Sequence, residues 1–116
     1  MGAIILVIGS RPLGAAEGEK VHARVVNIRF LPGVRDEVVR VGSGLTAILR
    51  SQRGFKGLQV LTHPQAGEGM IVSLWETESD AEASEATPSY IGQMSMMSSF
   101  LYEPLAPETY EVGVHV

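Results

Sequence analysis

The chain has 116 residues, of which 45% are hydrophobic and 19% charged, and its formal net charge is −4. This size and balance are typical of one soluble globular domain, and the negative charge argues against nucleic acid or an acidic membrane as a partner. The absence of cysteine excludes disulfides, a thiolate nucleophile and cysteine-based zinc sites, and it suits the cytoplasm.

Residues 1–20 differ in character from the rest of the chain. The apolar run from Ala3 to Ile8 is too short to span a bilayer, which takes about 20 residues. A secretory signal would begin with a positive charge, whereas the first one here, Arg11, follows the run. Two interpretations stay open. The segment is either an extra strand at a sheet edge or a partly disordered extension ahead of a domain over residues 21–116.

The next segment predicts a strand, a helix and a hairpin. "VHARVVNIRFL" is apolar on both alternating sets, which indicates a strand covered on both faces, and Pro32 and Gly33 end it. Apolar residues then recur at helical spacing, which predicts a helix near residues 34–53. "GFKGLQVLTHP" and "MIVSLWE" flank a glycine-rich loop and predict a β-hairpin.

A second helical region follows the only tryptophan, Trp75. Thr77 and Ser79 each stand three residues before an acidic residue, the pattern of a capping box, so a helix is expected over 78–102 with a break around Pro88. We assign the acidic residues of this region to the helix dipole rather than to catalysis; they are Glu78, Asp80, Glu82 and Glu85.

The closing segment "ETYEVGVHV" alternates and predicts a last strand. The order strand, helix, strand, strand, helix, strand is the ferredoxin-like βαββαβ plan, an α+β fold with an antiparallel sheet. In such a fold the helices cover one face of the sheet. Because the first strand is apolar on both faces, we expect the other face to be covered by a second copy, in a homodimer.

The segments "LPG", "GFKGLQVL", "VSLWETESDAEA" and the closing "YEV" together resemble the antibiotic biosynthesis monooxygenase family of dimeric α/β barrels. The resemblance covers roughly residues 21–116. It implies either a cofactor-independent monooxygenase of a small aromatic or quinol-like substrate, or a non-catalytic dimeric module that binds a small hydrophobic ligand.

The same resemblance disfavours haem degradation. The positions that hold an asparagine, a tryptophan and a histidine in the haem-degrading branch fall here on Val26, Ser84 and Met94. Asn27 is one residue away from the first of these positions, and therefore on the opposite face of its strand.

The candidate catalytic residues are Trp75, Asn27 and Tyr90, and the candidate substrate-binding residues are Trp75, Tyr90, Met94 and Arg29. We predict that Trp75 borders a cavity between the sheet and the second helix, with Tyr90 on the opposite wall; the alternative is that Trp75 only fills the core. His22 and His115 lie near each other if the first and last strands pair, but two histidines do not make a metal site, so we predict no metal. The resemblance to cofactor-independent oxygenases implies that no cofactor is used.

Overall fold

A computed structural model of the protein describes residues 6–7, 20–63 and 65–115. In chain order the elements are β1 (Leu6–Val7), β2 (His22–Arg29), α1 (Arg35–Arg50), β3 (Phe55–Thr62), β4 (Glu68–Trp75), α2 (Glu78–Glu85), α3 (Pro88–Ser98), β5 (Pro107–Glu111) and β6 (Val114–His115). From β2 to β5 this is the predicted α+β ferredoxin-like order, which is confirmed.

The main sheet has four antiparallel strands in the order β3-β4-β2-β5. β2 is central and pairs with β4 along its whole length, with Val26 opposite Ile71. Within the main sheet, the first and last strands, β2 and β5, are neighbours, with Pro107 opposite Val26. This register fixes which side chains share a face, and it places the start of β5 beside the middle of β2.

The predicted last strand is divided in the structure. β5 joins the main sheet, whereas β6 forms a separate parallel pair with β1, in which Leu6 lies opposite Val114. Strand formation at Leu6–Val7 fits the interpretation of the apolar run as an added strand. The other residues of the segment 1–19 lie outside the described residues, so the nature of that segment and the domain boundary near residue 21 stay predictions.

The two faces of the sheet carry different apolar clusters. On the helix face, side chains from β2 and β4 pack against all three helices in a core of Val26, Ile28, Phe30, Val38, Val41, Leu45, Leu49, Ile71, Trp75, Ala81, Met94 and Met97. On the other face, which we call the open face, Ala23, Val25 and Val72 are buried beneath longer neighbours such as Met70 and Tyr110. The predicted apolar character of both faces of β2 is therefore observed.

The break predicted near Pro88 is the junction between α2 and α3. The Thr77 hydroxyl accepts a hydrogen bond from the Asp80 backbone N–H (3.0 Å), so the capping box at Thr77 begins α2. Thr87 accepts from the Tyr90 N–H and caps α3, with Pro88 in the first helical turn. Proline suits this position because its missing N–H would have no partner inside the helix. Within the described part of the chain, every helix is too short or too polar to cross a membrane.

We expect Gly92→Ala to raise the free energy of unfolding by about 1 kcal/mol, because alanine is preferred over glycine inside a helix by that amount. A Cβ added at Gly92 meets nothing within 4 Å. Gly42→Ala is the matched comparison: it gains the same helix preference, but its Cβ would lie 2.8 Å from Val60 Cγ2, and the overpacking should make it destabilising. Urea unfolding measures the change in unfolding free energy for both variants. Changes of equal sign would contradict the close approach of Gly42 on α1 to Val60 on β3.

Candidate functional site

A cavity of about 160 Å³ lies on the helix face, where α2 and α3 meet the sheet. We call it the helix-face cavity; it is lined by Val26, Glu85, Tyr90, Met94, Leu105 and Pro107. An engineered apolar cavity of about 150 Å³ is large enough to bind benzene. The helix-face cavity therefore has room for one aromatic ring.

The sequence builds this cavity from two strands, β2 and β5, and two helices, α2 and α3, with Leu105 from the loop before β5. Val26 projects from the middle of β2 toward the helices, and Pro107 stands beside it at the start of β5. Tyr90 and Met94 are four residues apart and so lie on one face of α3, which is turned to the sheet. The cap at Thr87 sets the start of α3, and with it the position of Tyr90 one turn later.

An ion pair between β2 and α2 stands beside the cavity. The Arg24 guanidinium donates from Nε and Nη2 to the two oxygens of Glu85, each at 2.7 Å, and from Nη1 to the Thr109 hydroxyl. Only 19% of the Arg24 side chain and 18% of the Glu85 side chain are exposed. The hydrogen bond to Glu85 is the main cause that raises the pKa of Arg24, and the two short hydrogen bonds hold the side chains in place.

The same environment keeps the Tyr90 phenol neutral. Burial, followed by the nearby Glu85 carboxylate, raises the pKa of Tyr90 to about 12, although Arg24 opposes the shift. The Tyr90 backbone N–H donates to the Thr87 hydroxyl, so the cap of α3 does not use the phenol. At neutral pH the hydroxyl is therefore a proton donor, able to hydrogen-bond an oxygen of a molecule in the cavity.

These walls define what the cavity can do chemically. Val26, Met94 and Leu105 supply apolar contacts, and Tyr90 supplies one neutral donor. Among the wall residues that the structure describes, Glu85 is the one acid, and both of its oxygens accept hydrogen bonds from Arg24. The arrangement suits an apolar ring with one oxygen that accepts a hydrogen bond from the Tyr90 hydroxyl.

Sequence analysis missed Arg24 and Glu85, although a signal was present. Glu85 is the last residue of α2, where a negative charge opposes the helix dipole, so the dipole explanation fails for this residue. Arg24 and Val26 are two residues apart on β2, so both side chains point to the helix face of the sheet. A charged side chain on an otherwise apolar inner face is rare without a partner.

Trp75 lies in the core. It is 1% exposed, its indole N–H donates to the Ser73 hydroxyl (2.8 Å), and its ring meets Phe55 edge to face at 5.5 Å between centroids. Trp75 is not among the residues that line the helix-face cavity, whereas Tyr90 and Met94 are. The structure thus brings together two of the predicted residues, and a direct contact of Trp75 with a ligand stays a prediction.

Asn27 and Arg29 lie elsewhere. They alternate with Val26 and Ile28 along β2, so their side chains point to the open face. There both line a cavity of about 410 Å³, and Leu61 and Met70 line it as well. Arg29 is paired with Glu103 at 2.9 Å near the end of β2. Neither residue is a wall residue of the helix-face cavity, so a role beside Tyr90 is not supported by their positions.

The residues at the positions of the haem-degrading pattern are each accounted for by packing. Val26 and Met94 are core residues and walls of the helix-face cavity. Ser84 is buried, and its hydroxyl donates to the Ala81 carbonyl at 2.8 Å. The absence of haem degradation stays a prediction.

The histidines are not brought together by the main sheet. His22 lies opposite Glu111 in the β2–β5 register, while His115 belongs to β6 and pairs with β1. Among residues 6–7, 20–63 and 65–115, no group of three or more acidic, histidine or cysteine side chains is placed to hold a metal ion.

The order of the strands and the helices on one face of the sheet define a ferredoxin-like α+β protein. The sequence pattern of the antibiotic biosynthesis monooxygenase family matches residues 22–91, so the chain belongs to that family.

Solved structures share the fold. Rv0793 from Mycobacterium tuberculosis superposes with a TM-score of 0.66 at 13% identity, covering 78% of this chain and 92% of that one. Proteins assigned to the same family from Bordetella bronchiseptica (TM-score 0.71, 14% identity, 79% and 96% covered) and Chloroflexus aurantiacus (0.62, 22%, 83% and 97%) superpose similarly. No curated protein sequence matches the chain. At these identities the likeness shows the fold alone.

The raised pKa of Tyr90 gives a testable pH dependence. Its folded-state pKa of about 12 lies above the ordinary value of 10.0, so the contribution to stability is complete below pH 10 and is lost as the pH rises toward 12. We expect wild type to lose stability more steeply over this window than Tyr90→Phe, which has no proton to lose. Urea unfolding at several pH values measures the slopes, and parallel slopes would show that Tyr90 titrates normally.

Proposed function

We propose that the chain is a cofactor-independent monooxygenase acting on a small aromatic or quinol-like substrate in the helix-face cavity. Membership of the family supports the reaction class. The single observation that carries the choice of site is the neutral Tyr90 hydroxyl on the wall of a cavity that is otherwise mostly apolar. The same side chain can bind an aromatic oxygen and stabilise it when that oxygen becomes negative.

The reaction needs no electrons from outside the substrate. A hydroquinone and O₂ give a hydroxyquinone and water: one oxygen atom enters a C–H bond of the ring, the other leaves as water, and the substrate supplies all four electrons. The ring reacts with O₂ once a phenol proton has been lost. The proposal therefore includes no cofactor and no metal, and the protein contributes binding, orientation and stabilisation of the phenolate.

The proposed roles follow from position. Tyr90 is the candidate catalytic residue, because its hydroxyl can donate to the phenolate oxygen. Met94 and Val26 hold the ring between α3 and β2. Arg24 is a positioning residue, since it holds Glu85 at the cavity wall through two hydrogen bonds. Trp75 supports the site from the core through its contacts with Ser73 and Phe55 rather than as a wall.

A binding module without catalysis is the second candidate, and one observation favours it. Both oxygens of Glu85, the one acid among the described residues of the cavity wall, are engaged by Arg24. A cavity without an available base can bind a phenol without ionising it. On this alternative the chain holds a small hydrophobic molecule unchanged.

We also propose that the working unit is a homodimer formed through the open face. Ala23, Val25 and Val72 make that face apolar at its centre, and Leu61, on the same face, is 46% exposed. A second copy of the same face would remove this apolar surface from water. The cytoplasm remains the expected compartment for a chain without cysteine, and nucleic acid and membranes are not expected partners of a chain with a net charge of −4.

Oxygen uptake tests the proposal. Wild type mixed with a single-ring hydroquinone should consume O₂ and form the hydroxyquinone above the uncatalysed rate, whereas a dihydroxyanthracene should react less well because its three rings exceed the cavity of about 160 Å³. Tyr90→Phe should reduce the rate by about 100-fold, as expected for removal of one donor to an oxyanion.

Tyr110→Phe is the matched control, because Tyr110 is on β5 and donates to Glu108 at 3.0 Å, away from the cavity walls. Saturable binding of the hydroquinone without oxygen uptake would establish the binding module instead. Equal losses in the two tyrosine variants would remove Tyr90 from the mechanism.

A further inference from the structure

We propose a second binding site, for an aromatic carboxylate, in a cavity of about 430 Å³ between the β3–β4 hairpin and the turn before α1. We call it the hairpin cavity. Its walls include the side chains of Arg29, Arg35, His63 and Tyr102. This site is separate from the helix-face cavity and goes beyond the proposed oxygenase function.

The two arginines are held in position by neighbours that leave donors for a ligand. Arg35 Nε donates to the Thr62 hydroxyl at 3.0 Å, and the Arg29 guanidinium carbon lies 5.9 Å from the centre of the Tyr102 ring. Their carboxylate partners, Asp36 and Glu103, form pairs whose side chains are more than half exposed. Such surface pairs contribute little energy, so a ligand carboxylate can compete with them for the guanidinium N–H groups.

His63 supplies a third donor, oriented by the hairpin itself. Its Nδ1 accepts hydrogen bonds from the backbone N–H groups of Gln65 (3.3 Å) and Ala66 (3.2 Å). With Nδ1 engaged as an acceptor, the proton of the neutral ring resides on Nε2. Three residues with donor groups therefore line one cavity, from the end of β2, the start of α1 and the β3–β4 loop.

The walls define the class of ligand. Among the described wall residues, two arginines stand against one acidic side chain, Glu68, while the partner carboxylates of the arginines, Asp36 and Glu103, lie outside the walls. Phe30 and Pro32 add apolar surface on the same walls. A carboxylate attached to one aromatic ring satisfies both features, with the carboxylate at the guanidinium groups and the ring against the apolar wall.

Benzoate is the probe, and amide chemical shifts locate it. Titration into the full-length ¹⁵N-labelled protein should move the signals of Gly33 and Gly67 in a saturable manner, because both glycines line the hairpin cavity. Arg35→Gln should weaken binding by about tenfold or more, since it removes a charge-assisted hydrogen bond. Arg40→Gln is the control: it removes an exposed arginine of the same helix, paired with Glu37, that is not a wall residue.

Two further titrations, one with a Glu68 variant and one with inorganic phosphate, test the charge of the wall and the need for an aromatic ring. Glu68→Gln should tighten binding, because it removes the negative charge from the wall. Inorganic phosphate, which lacks the ring, should bind at least tenfold more weakly than benzoate. The proposal is overturned if benzoate moves the signals of Tyr90 and Met94 instead, if the two arginine variants weaken binding equally, or if phosphate binds as well as benzoate. Oxygen uptake does not enter this test, so its outcome is independent of the proposed function.

Discussion

Arg24→Met should lower the free energy of unfolding by about 2 kcal/mol. Breaking a fully buried ion pair costs about 3–5 kcal/mol because the remaining charge loses its partner, and this pair is still slightly exposed, which reduces the cost. With Met at this position, Glu85 would lose two hydrogen bonds of 2.7 Å and would be left beside Tyr90. Urea unfolding followed by circular dichroism measures the change.

Arg40→Met is the control for the loss of an arginine, since the Arg40–Glu37 pair is largely exposed and should contribute less than about 0.5 kcal/mol. The double variant Arg24→Met with Glu85→Leu should recover most of the lost stability, because no unpaired charge remains. If Arg24→Met is as stable as Arg40→Met, the ion pair does not stabilise the junction of α2 with the sheet.

Leu61→Lys should weaken self-association by at least about 100-fold while the monomer stays folded. Leu61 lies opposite Met70 on the open face and is 46% exposed, so a lysine there is tolerated by the monomer. In the proposed dimer the same lysine would be buried without a partner, at a cost of several kcal/mol. Val112 is a poorer position for the test because it packs against the buried residues of the open face, Ala23, Val25 and Val72. A lysine there would also disturb the monomer.

Ile91→Lys is the matched control. Ile91 is 54% exposed on α3, in the helical layer, so its replacement should leave association unchanged. Light scattering over a range of concentrations gives the assembly state of each variant. A wild-type monomer at micromolar concentration, or a dimer that survives Leu61→Lys, would contradict an interface on the open face.

The fold was predictable because its signals are local. The end of the strand at Trp75, the cap at Thr77 and the break at Pro88 each depend on a few neighbouring residues, and each occurs where expected. Because successive side chains of a strand point to opposite faces, Val26 and Asn27 were predicted to face opposite ways. The β2–β4 register agrees.

The candidate site was predictable only in part, because it depends on contacts between distant segments. Tyr90 and Met94 share a helix face, so their spacing placed them together. Arg24 and Glu85 are 61 residues apart, and nothing local indicates that they pair. The contact of Trp75 with Phe55 likewise depends on the register between β3 and β4, whereas its hydrogen-bond partner Ser73 is two residues away on the same strand.

Methionine-methyl NMR tests the central claim most directly, namely that a small aromatic ligand binds in the helix-face cavity. The sequence contains five methionines. Three are informative: Met94 is a wall of the cavity, Met96 is 47% exposed, and Met70 lies on the open face. Adding a single-ring hydroquinone under nitrogen should shift the Met94 methyl signal in a saturable manner and leave those of Met96 and Met70 in place. A shift of Met70 with none at Met94 would put the ligand on the open face and contradict the account.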